Sequence, residues 1–295
     1  MSESAIALTG LTKHYGKHVA LTDLSLEVGR GEVFGFLGPN GAGKSTTIRI
    51  LLDLIRPTAG EVRVLGADPR TTGPELRRRI GYLPGELAIE GRNTARELLR
   101  FLADRHGAVP GERIEELADL LDLDLSRKVG KMSKGNKQKV GIVAAFMHRP
   151  ELLVLDEPTS GLDPLLQQRF LDLVKEAAGQ GQTVFMSSHV LSEVQEVADR
   201  AVIMRAGELL GTENVEDLRR RSPREVELVF AEPVEAAEFA ALPNLRDVIV
   251  EGSTLRCTTE GEVDALFKTA AKHRIESVLS TEPDLEAIFF SLYGR

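Results

Sequence analysis

Apolar residues recur along this chain with two periods, and the positions where the period changes mark its elements. From residue 5 to 66 short apolar runs alternate with turns, among them Glu32-Val-Phe-Gly-Phe-Leu37 and Glu61-Val-Arg-Val-Leu65. Runs of that length, bounded by turn residues, read as strands. Ile48-Arg-Ile-Leu-Leu-Asp-Leu54 has helical spacing instead. Residues 93–148 are mostly helical: one run begins at Thr94 and continues through Leu102, and a second, amphipathic, spans Glu112 to Leu121. A third, from Gln138 to His148, places Val140, Val143, Ala144 and Met147 on one face, with Ser133 as its N-cap. Strands predicted at 151–156, 183–188 and 201–205 then alternate with helices at 165–178 and 190–198. Ala206-Gly207-Glu208 reads as a hairpin turn into a short closing strand. This alternation predicts a mainly parallel sheet with helices on both faces and its ligand at the carboxyl ends of the strands.

Composition changes around Arg221-Ser-Pro223. Beyond it the pattern predicts strand 224–230, helix 234–241, strands 246–251 and 254–258 about a Gly252-Ser253 turn, helix 261–272, strand 274–280 and helix 284–292. That βαββαβ order suggests a small α+β, ferredoxin-like domain with a trailing helix. The chain of 295 residues is therefore read as two domains, 1–221 and 222–295, the first containing a helical subdomain at about 88–150.

The chemistry lies in the first domain. Gly38-Pro-Asn-Gly-Ala-Gly-Lys44-Ser45-Thr46 joins a predicted strand to a predicted helix with the spacing G-x-x-x-x-G-K-[ST]. Glycine lets successive N–H groups turn inward toward phosphate oxygens, and the following helix adds the positive end of its dipole. Lys44 can reach the β- and γ-phosphates, and the Ser45 hydroxyl can ligate magnesium. Downstream, Leu152–Leu155 delivers two carboxylates at a strand end. Asp156 is placed to hold magnesium, and Glu157 to orient an attacking water and accept its proton. A tight turn, Ser160 to Asp163, follows.

With these residues in hand the chain resembles an ABC-type ATPase, the nucleotide-binding subunit of ATP-binding-cassette transporters, over about Ile6 to Arg221. The resemblance implies a P-loop ABC-ATPase core with a helical subdomain, and ATP and Mg2+ as ligands. It makes Tyr15 the aromatic that stacks on adenine, and Gly38, Asn40, Gly41, Ala42, Gly43, Lys44, Ser45 and Thr46 the nucleotide loop. Ser133, Lys134, Gly135 and Asn136, after Met132, match the signature turn that serves the partner's ATP. Ser160 to Asp163 matches the loop exchanged across the dimer, and His189 in Ser-Ser-His-Val matches the switch histidine at the γ-phosphate. The implied partners are a second copy or a paralogous ATPase subunit, and separate polytopic membrane subunits. The implied place is cytoplasmic, peripheral on the cytoplasmic face of the cell membrane. The Met132-Ser-Lys-Gly variant and the tail Pro283-Asp-Leu-Glu-Ala-Ile-Phe-Phe resemble ABC-2-type exporter subunits, which suggests drug or antibiotic efflux. Alternatives are a soluble ABC-type ATPase with a non-membrane partner, or a regulatory ATP-binding module.

Two departures stand out. Where the family has Gln after the Gly81-Tyr-Leu-Pro84 strand, this chain has Gly85 and then Glu86. Either Glu86 substitutes or the function is carried differently. Lys134 and Asn136 replace the Gly and Gln of the family's signature turn. The basic residues Arg127, Lys128, Lys131, Lys134, Lys137 and Lys139 either attract an anion to that turn or form an ordinary solvated face.

Composition narrows the partners. Acidic residues exceed basic ones by 45 to 37, which disfavours a nonspecific grip on nucleic acid. The single cysteine, Cys257, excludes an internal disulfide and reads as packing. No apolar run approaches a membrane span, and the first residues lack a signal pattern. None of the histidines reads as a metal ligand: Gly16 argues against a helix that would align His14 with His18, and His106, His148 and His273 are isolated; Arg77–Arg79 and Arg219–Arg221 read as exposed helix ends.

Overall fold

The structure, a computed structural model, describes residues 4–88, 91–107, 109–217, 223–260 and 262–281. It divides into two compact units, Met1–Thr212 and Glu213–Arg295. The compositional boundary after Arg221 and the expected helix 284–292 fall outside the described residues.

In chain order the elements are β1 (Ser4–Tyr15), β2 (His18–Gly29), β3 (Val33–Leu37), α1 (Lys44–Leu51) and β4 (Ala59–Val64). Two short helices, α2 (Pro69–Thr72) and α3 (Pro74–Arg78), lead to β5 (Ile80–Leu83). A helical stretch follows, with α4 (Ala95–His106), α5 (Gly111–Leu120), a 3-10 turn at Val129–Lys131, and α6 (Lys134–Phe146). Next come β6 (Leu152–Asp156), α7 (Pro164–Gly179), β7 (Thr183–Ser188), α8 (Leu191–Val197), β8 (Arg200–Arg205) and β9 (Glu208–Asn214).

β1, β2 and β4 form their own antiparallel sheet in the order β2-β1-β4. The larger sheet runs β5-β6-β7-β3-β8-β9, and its pairs from β5 to β8 are parallel. Every residue of β3, β6 and β7 is buried. Those strands are unbroken apolar runs because helices and the smaller sheet cover both faces. One core joins the two sheets: Ile6, Leu11 and Val64 pack with Phe34, Phe36, Ile48, Phe185 and Met204. Phe34 and Phe185 are register partners with nearly parallel rings.

α4 starts at a reciprocal cap. Thr94 Oγ1 accepts from the Glu97 amide, and Glu97 Oε2 accepts from the Thr94 amide. α6 differs from its expected one-faced pattern, because Val140, Gly141, Ile142, Val143, Ala145 and Phe146 are all buried. The helix lies between α4, α5 and β5, so it has little solvent face to read. Gly81 lets it approach β5: a Cβ there would be 2.2 Å from the Ala145 carbonyl oxygen.

Several charged and aromatic side chains are more engaged than their sequence setting suggests. His106 and His148 are not isolated; their rings stack with centroids 3.8 Å apart. Burial, together with the His106 ring beside it, pushes His148 down to about 4. His273 pairs with Glu238 at 2.9 Å and packs against Phe230 and Phe239. Arg79 is no free helix end: its guanidinium holds both carboxylate oxygens of Glu151.

The second unit continues with β10 (Pro223–Phe230), α9 (Ala236–Ala240), β11 (Leu245–Glu251), β12 (Thr254–Glu260), α10 (Asp264–Ala270) and β13 (Ile275–Thr281). Its sheet order, β11-β12-β10-β13, and its antiparallel pairings give the split βαββαβ arrangement of a ferredoxin-like domain. It has its own core, including Val226, Leu228, Phe239, Leu255 and Leu266. Cys257 is buried in that core, and burial raises its thiol pKa.

Candidate functional site

The loop between β3 and α1 is closed by backbone geometry that side chains would prevent. Gly38 and Gly43 have φ of +157° and +112°. A Cβ on Gly38 would be 2.3 Å from the Met204 oxygen, and one on Gly43 2.6 Å from Met204 Cε. Gly207 N donates to the Ala42 carbonyl at 2.9 Å, tying the loop to the β8–β9 turn. Gly43 caps α1 without a side chain, so no cap side chain takes up the first-turn N–H groups. That is the arrangement by which a helix start takes an anion.

Lys44 is 5% exposed, and its ammonium is folded back onto the loop. It donates to the Gly38 and Pro39 carbonyls and lies 3.1 Å from Glu157 Oε1. That oxygen is buried and receives no well-directed hydrogen bond, so the lysine contact is an ion pair. The other oxygen, Oε2, is 2.6 Å from His189 Nδ1. Three residues distant in sequence thus converge at the mouth of the loop.

Glu157 follows β6 with φ of +48°, in the left-handed region. Its amide donates to both the carbonyl and the hydroxyl oxygen of Ser187. Ser187 Oγ in turn donates to Asp156 Oδ1 at 2.6 Å, orienting a carboxylate that is 5% exposed. Ser187 went unread in the sequence; its one signal was a hydroxyl pair, Ser187-Ser188, immediately before His189. Gly85 lies against Asp156, since a Cβ there would be 3.5 Å from Asp156 Cγ. Glu86 is exposed and makes no hydrogen bond or ion pair among the described residues. On β5, burial and the nearby charge of Asp156 raise the Tyr82 hydroxyl pKa.

The donor set at this point suits magnesium. Among the described residues no group of three or more His, Cys, Asp or Glu side chains could hold a metal by itself. Ser45 and Asp156 offer oxygen ligands only, and a hard cation that keeps several waters and binds phosphate requires few protein ligands.

Tyr15 is 46% exposed near the β1–β2 turn, with Lys13 Nζ 4.9 Å over its ring. Among the described residues no hydrogen bond or ring contact joins it to the loop, although β2 touches the loop through Leu21 at Gly43. Asn40 and Gly41 are exposed, Ala42 is buried, and Ser45 and Thr46 are half-buried at the start of α1.

The second group of residues gathers at the start of α6. Ser133 caps the helix, its Oγ accepting from the Asn136 amide and Nδ2. Lys134 Nζ donates to Ser160 Oγ at 3.3 Å. Asp163 caps α7, accepting from the Leu166 amide at 3.0 Å. The basic cluster does not act as one: Lys139 is buried and donates to the Asp122 carbonyl, whereas Arg127, Lys128, Lys131 and Lys134 are exposed. Lys139 faces inward because this stretch of α6, from Gln138 to Val143, is buried throughout.

A phosphate-type loop at the carboxyl end of β3, two acids at the same end of β6 with β7 between the two strands, and a helical subdomain define a nucleotide hydrolase of the ABC type. The family described as ABC transporter matches residues 21–160. The chain is 39% identical over 230 residues to the bacitracin transport ATP-binding protein of Bacillus licheniformis, covering 77% of this chain and 75% of that one. It is 34% identical over 301 residues to the linearmycin resistance ATP-binding protein of Bacillus subtilis, with 97% of each covered. A solved dimeric ATP-binding cassette in a post-hydrolysis state, bound to ADP and Pi, superposes with a TM-score of 0.65 at 25% identity, covering 71% of this chain and 98% of that one. The chain belongs to the ABC transporter family as an ATP-binding subunit. Its reaction is ATP hydrolysis, and ABC ATPases of this kind work as dimers with membrane subunits. No helix among the described residues is long and apolar enough to cross a membrane.

Proposed function

We propose that this chain powers export of a drug or antibiotic. It works with a second copy of itself or a paralogous ATPase subunit, on the cytoplasmic face of the cell membrane, against separate polytopic membrane subunits. The observation that carries the ATP-hydrolysing part of this reading is the convergence of Lys44, Glu157 and His189 beside the buried Asp156. Gly38 to Thr46 takes the phosphates of ATP, and Tyr15 offers a ring face to the base. Ser45 and Asp156 would hold Mg2+, which when bound neutralises charge on the phosphate oxygens. Glu157 orients the attacking water and accepts its proton. Lys44 leaves Glu157 for a phosphate oxygen, because a charge-assisted contact to the polyanion is the stronger one. His189 steadies the second oxygen of Glu157 and reaches the γ-phosphate.

Ser133, Lys134, Gly135 and Asn136 face the partner's ATP from the start of α6, and Ser160 and Asp163 belong to the loop exchanged across the pair. Replacing Ser133 with Arg should abolish cooperative hydrolysis and spare nucleotide binding to the monomer. Hydrolysis at the unaltered rate would remove the cross-subunit assignment. The cargo reading is supported by the names of the relatives, one for bacitracin transport and one for linearmycin resistance. Its test is Lys44→Ala in the host, which should lower the minimal inhibitory concentration of an antibiotic such as bacitracin or linearmycin several-fold. Unchanged sensitivity across such compounds, with the chain absent from the membrane fraction, would overturn export in favour of a non-membrane partner.

A further inference from the structure

Lys134 stands where the family's signature turn has glycine, and its side chain folds back along the chain's own loop. The ammonium donates to Ser160 Oγ at 3.3 Å. The stem lies over Gly161, where a Cβ would be 3.7 Å from Lys134 Cδ. The next residue presses on the same place: a Cβ on Gly135 would be 2.6 Å from the Gly161 oxygen. One turn further, Gln138 is 2% exposed and donates from Nε2 to the Pro158 carbonyl at 2.9 Å. Three successive contacts therefore join the first turns of α6 to the segment Pro158–Gly161. That segment begins immediately after Glu157, and Ser160 N closes back on the Glu157 carbonyl at 3.1 Å.

The three contacts differ in strength. The Gln138 amide is buried, and losing its acceptor would strand it, so it acts as a fixed pivot. The Lys134 tie is exposed and joins an ammonium to a neutral hydroxyl, so a phosphate oxygen offered to the same ammonium displaces it. We propose that Lys134 is a positioning residue that couples the two half-sites of this subunit. With no nucleotide opposite, it holds Ser160 and so the backbone leaving Glu157. A phosphate arriving at Ser133–Gly135 draws the ammonium away and frees that loop. The proposal rests on the reading that this turn faces the partner's ATP.

The test is ATPase activity against ATP concentration in the full-length protein for Lys134→Met, Lys134→Arg, Ser160→Ala and the Lys134→Met/Ser160→Ala double variant. Lys134→Met keeps the stem and removes the charge; its Hill coefficient should fall to about 1 and its half-saturating ATP should rise about five-fold or more. Lys134→Arg keeps a donor and should retain cooperativity. Ser160→Ala should also lower the Hill coefficient, and the double variant should be no worse than Lys134→Met alone, since both changes cut one tie. A wild-type Hill coefficient in Lys134→Met, or independent effects that multiply in the double variant, would overturn the coupling. Ser133→Arg separates the layers. If it stays cooperative, the half-site reading itself fails; if it loses cooperativity while Lys134→Met keeps it, only the coupling by Lys134 fails.

Discussion

Glu157 combines a demanding chemical position with an uncomfortable backbone. A left-handed conformation costs a non-glycine residue about 1–2 kcal/mol, and here two hydrogen bonds to Ser187 offset it. Glu157→Gln keeps that backbone and removes the base, so turnover should fall by about 10²–10⁴ with ATP affinity retained. Steady-state turnover beside nucleotide titration checks it, and full turnover would refute the base assignment. Ser187→Ala strips Asp156 of its oriented donor, and half-saturating Mg2+ should rise in an activity titration. Glu86→Ala, in contrast, should leave rate and magnesium dependence unchanged, because Glu86 is exposed and unpaired among the described residues. A weaker magnesium response would restore it as the stand-in for the family's glutamine. Lys44, Asp156, Glu157 and His189 can be singled out from the sequence because each belongs to a local motif. Ser187 cannot, because its role comes from strand register, which pairs it with Asp156 across 31 positions.

At the scale of elements, the buried strands were legible to within a residue or two, since β6 and β7 are apolar runs closed by polar ends. α6 was legible only in part: periodicity reports a solvent face, and a helix buried nearly all round has little of one. α1 begins at Lys44, a turn before the apolar pattern starts at Ile48, because the phosphate loop rather than packing sets its first turn. The tight approach of α6 to β5 makes Gly81→Ala costly, by about 1–3 kcal/mol or more, readable as a lower urea midpoint. The stacked histidines add a pH dependence. His148 is held neutral down to about 4, against 6.5 for an ordinary histidine. Below pH 6.5 the unfolded chain therefore takes up a proton that the native chain refuses. Stability should be level above that pH and fall as pH drops toward about 4, by at most about 3 kcal/mol. His148→Phe keeps a ring in the stack and should show a smaller loss between pH 7 and 5. Equal losses in the two proteins would contradict this origin.

At the scale of the whole molecule, the chain carries both proposed half-sites on its first unit and a ferredoxin-like unit after it. In the proposed function the phosphate loop with Asp156, Glu157 and His189 is one half-site, and the capped start of α6 is the other. That two copies are needed is what the resemblance of Ser133–Asn136 to the family's signature turn implies, the capped helix start then meeting an anion held by the partner. The physical link between the half-sites was not legible in the sequence, because Lys134–Ser160 and Gln138–Pro158 join segments separated by the rest of α6 and all of β6. The account stands on each subunit closing over the other's nucleotide. Its most direct test is the mass of Glu157→Gln in solution by sedimentation, with and without ATP and Mg2+. The account predicts a monomer without nucleotide, a doubled mass with ATP, and loss of that doubling when Ser133→Arg is added. A Glu157→Gln chain that binds ATP to saturation and keeps the monomer mass would contradict it.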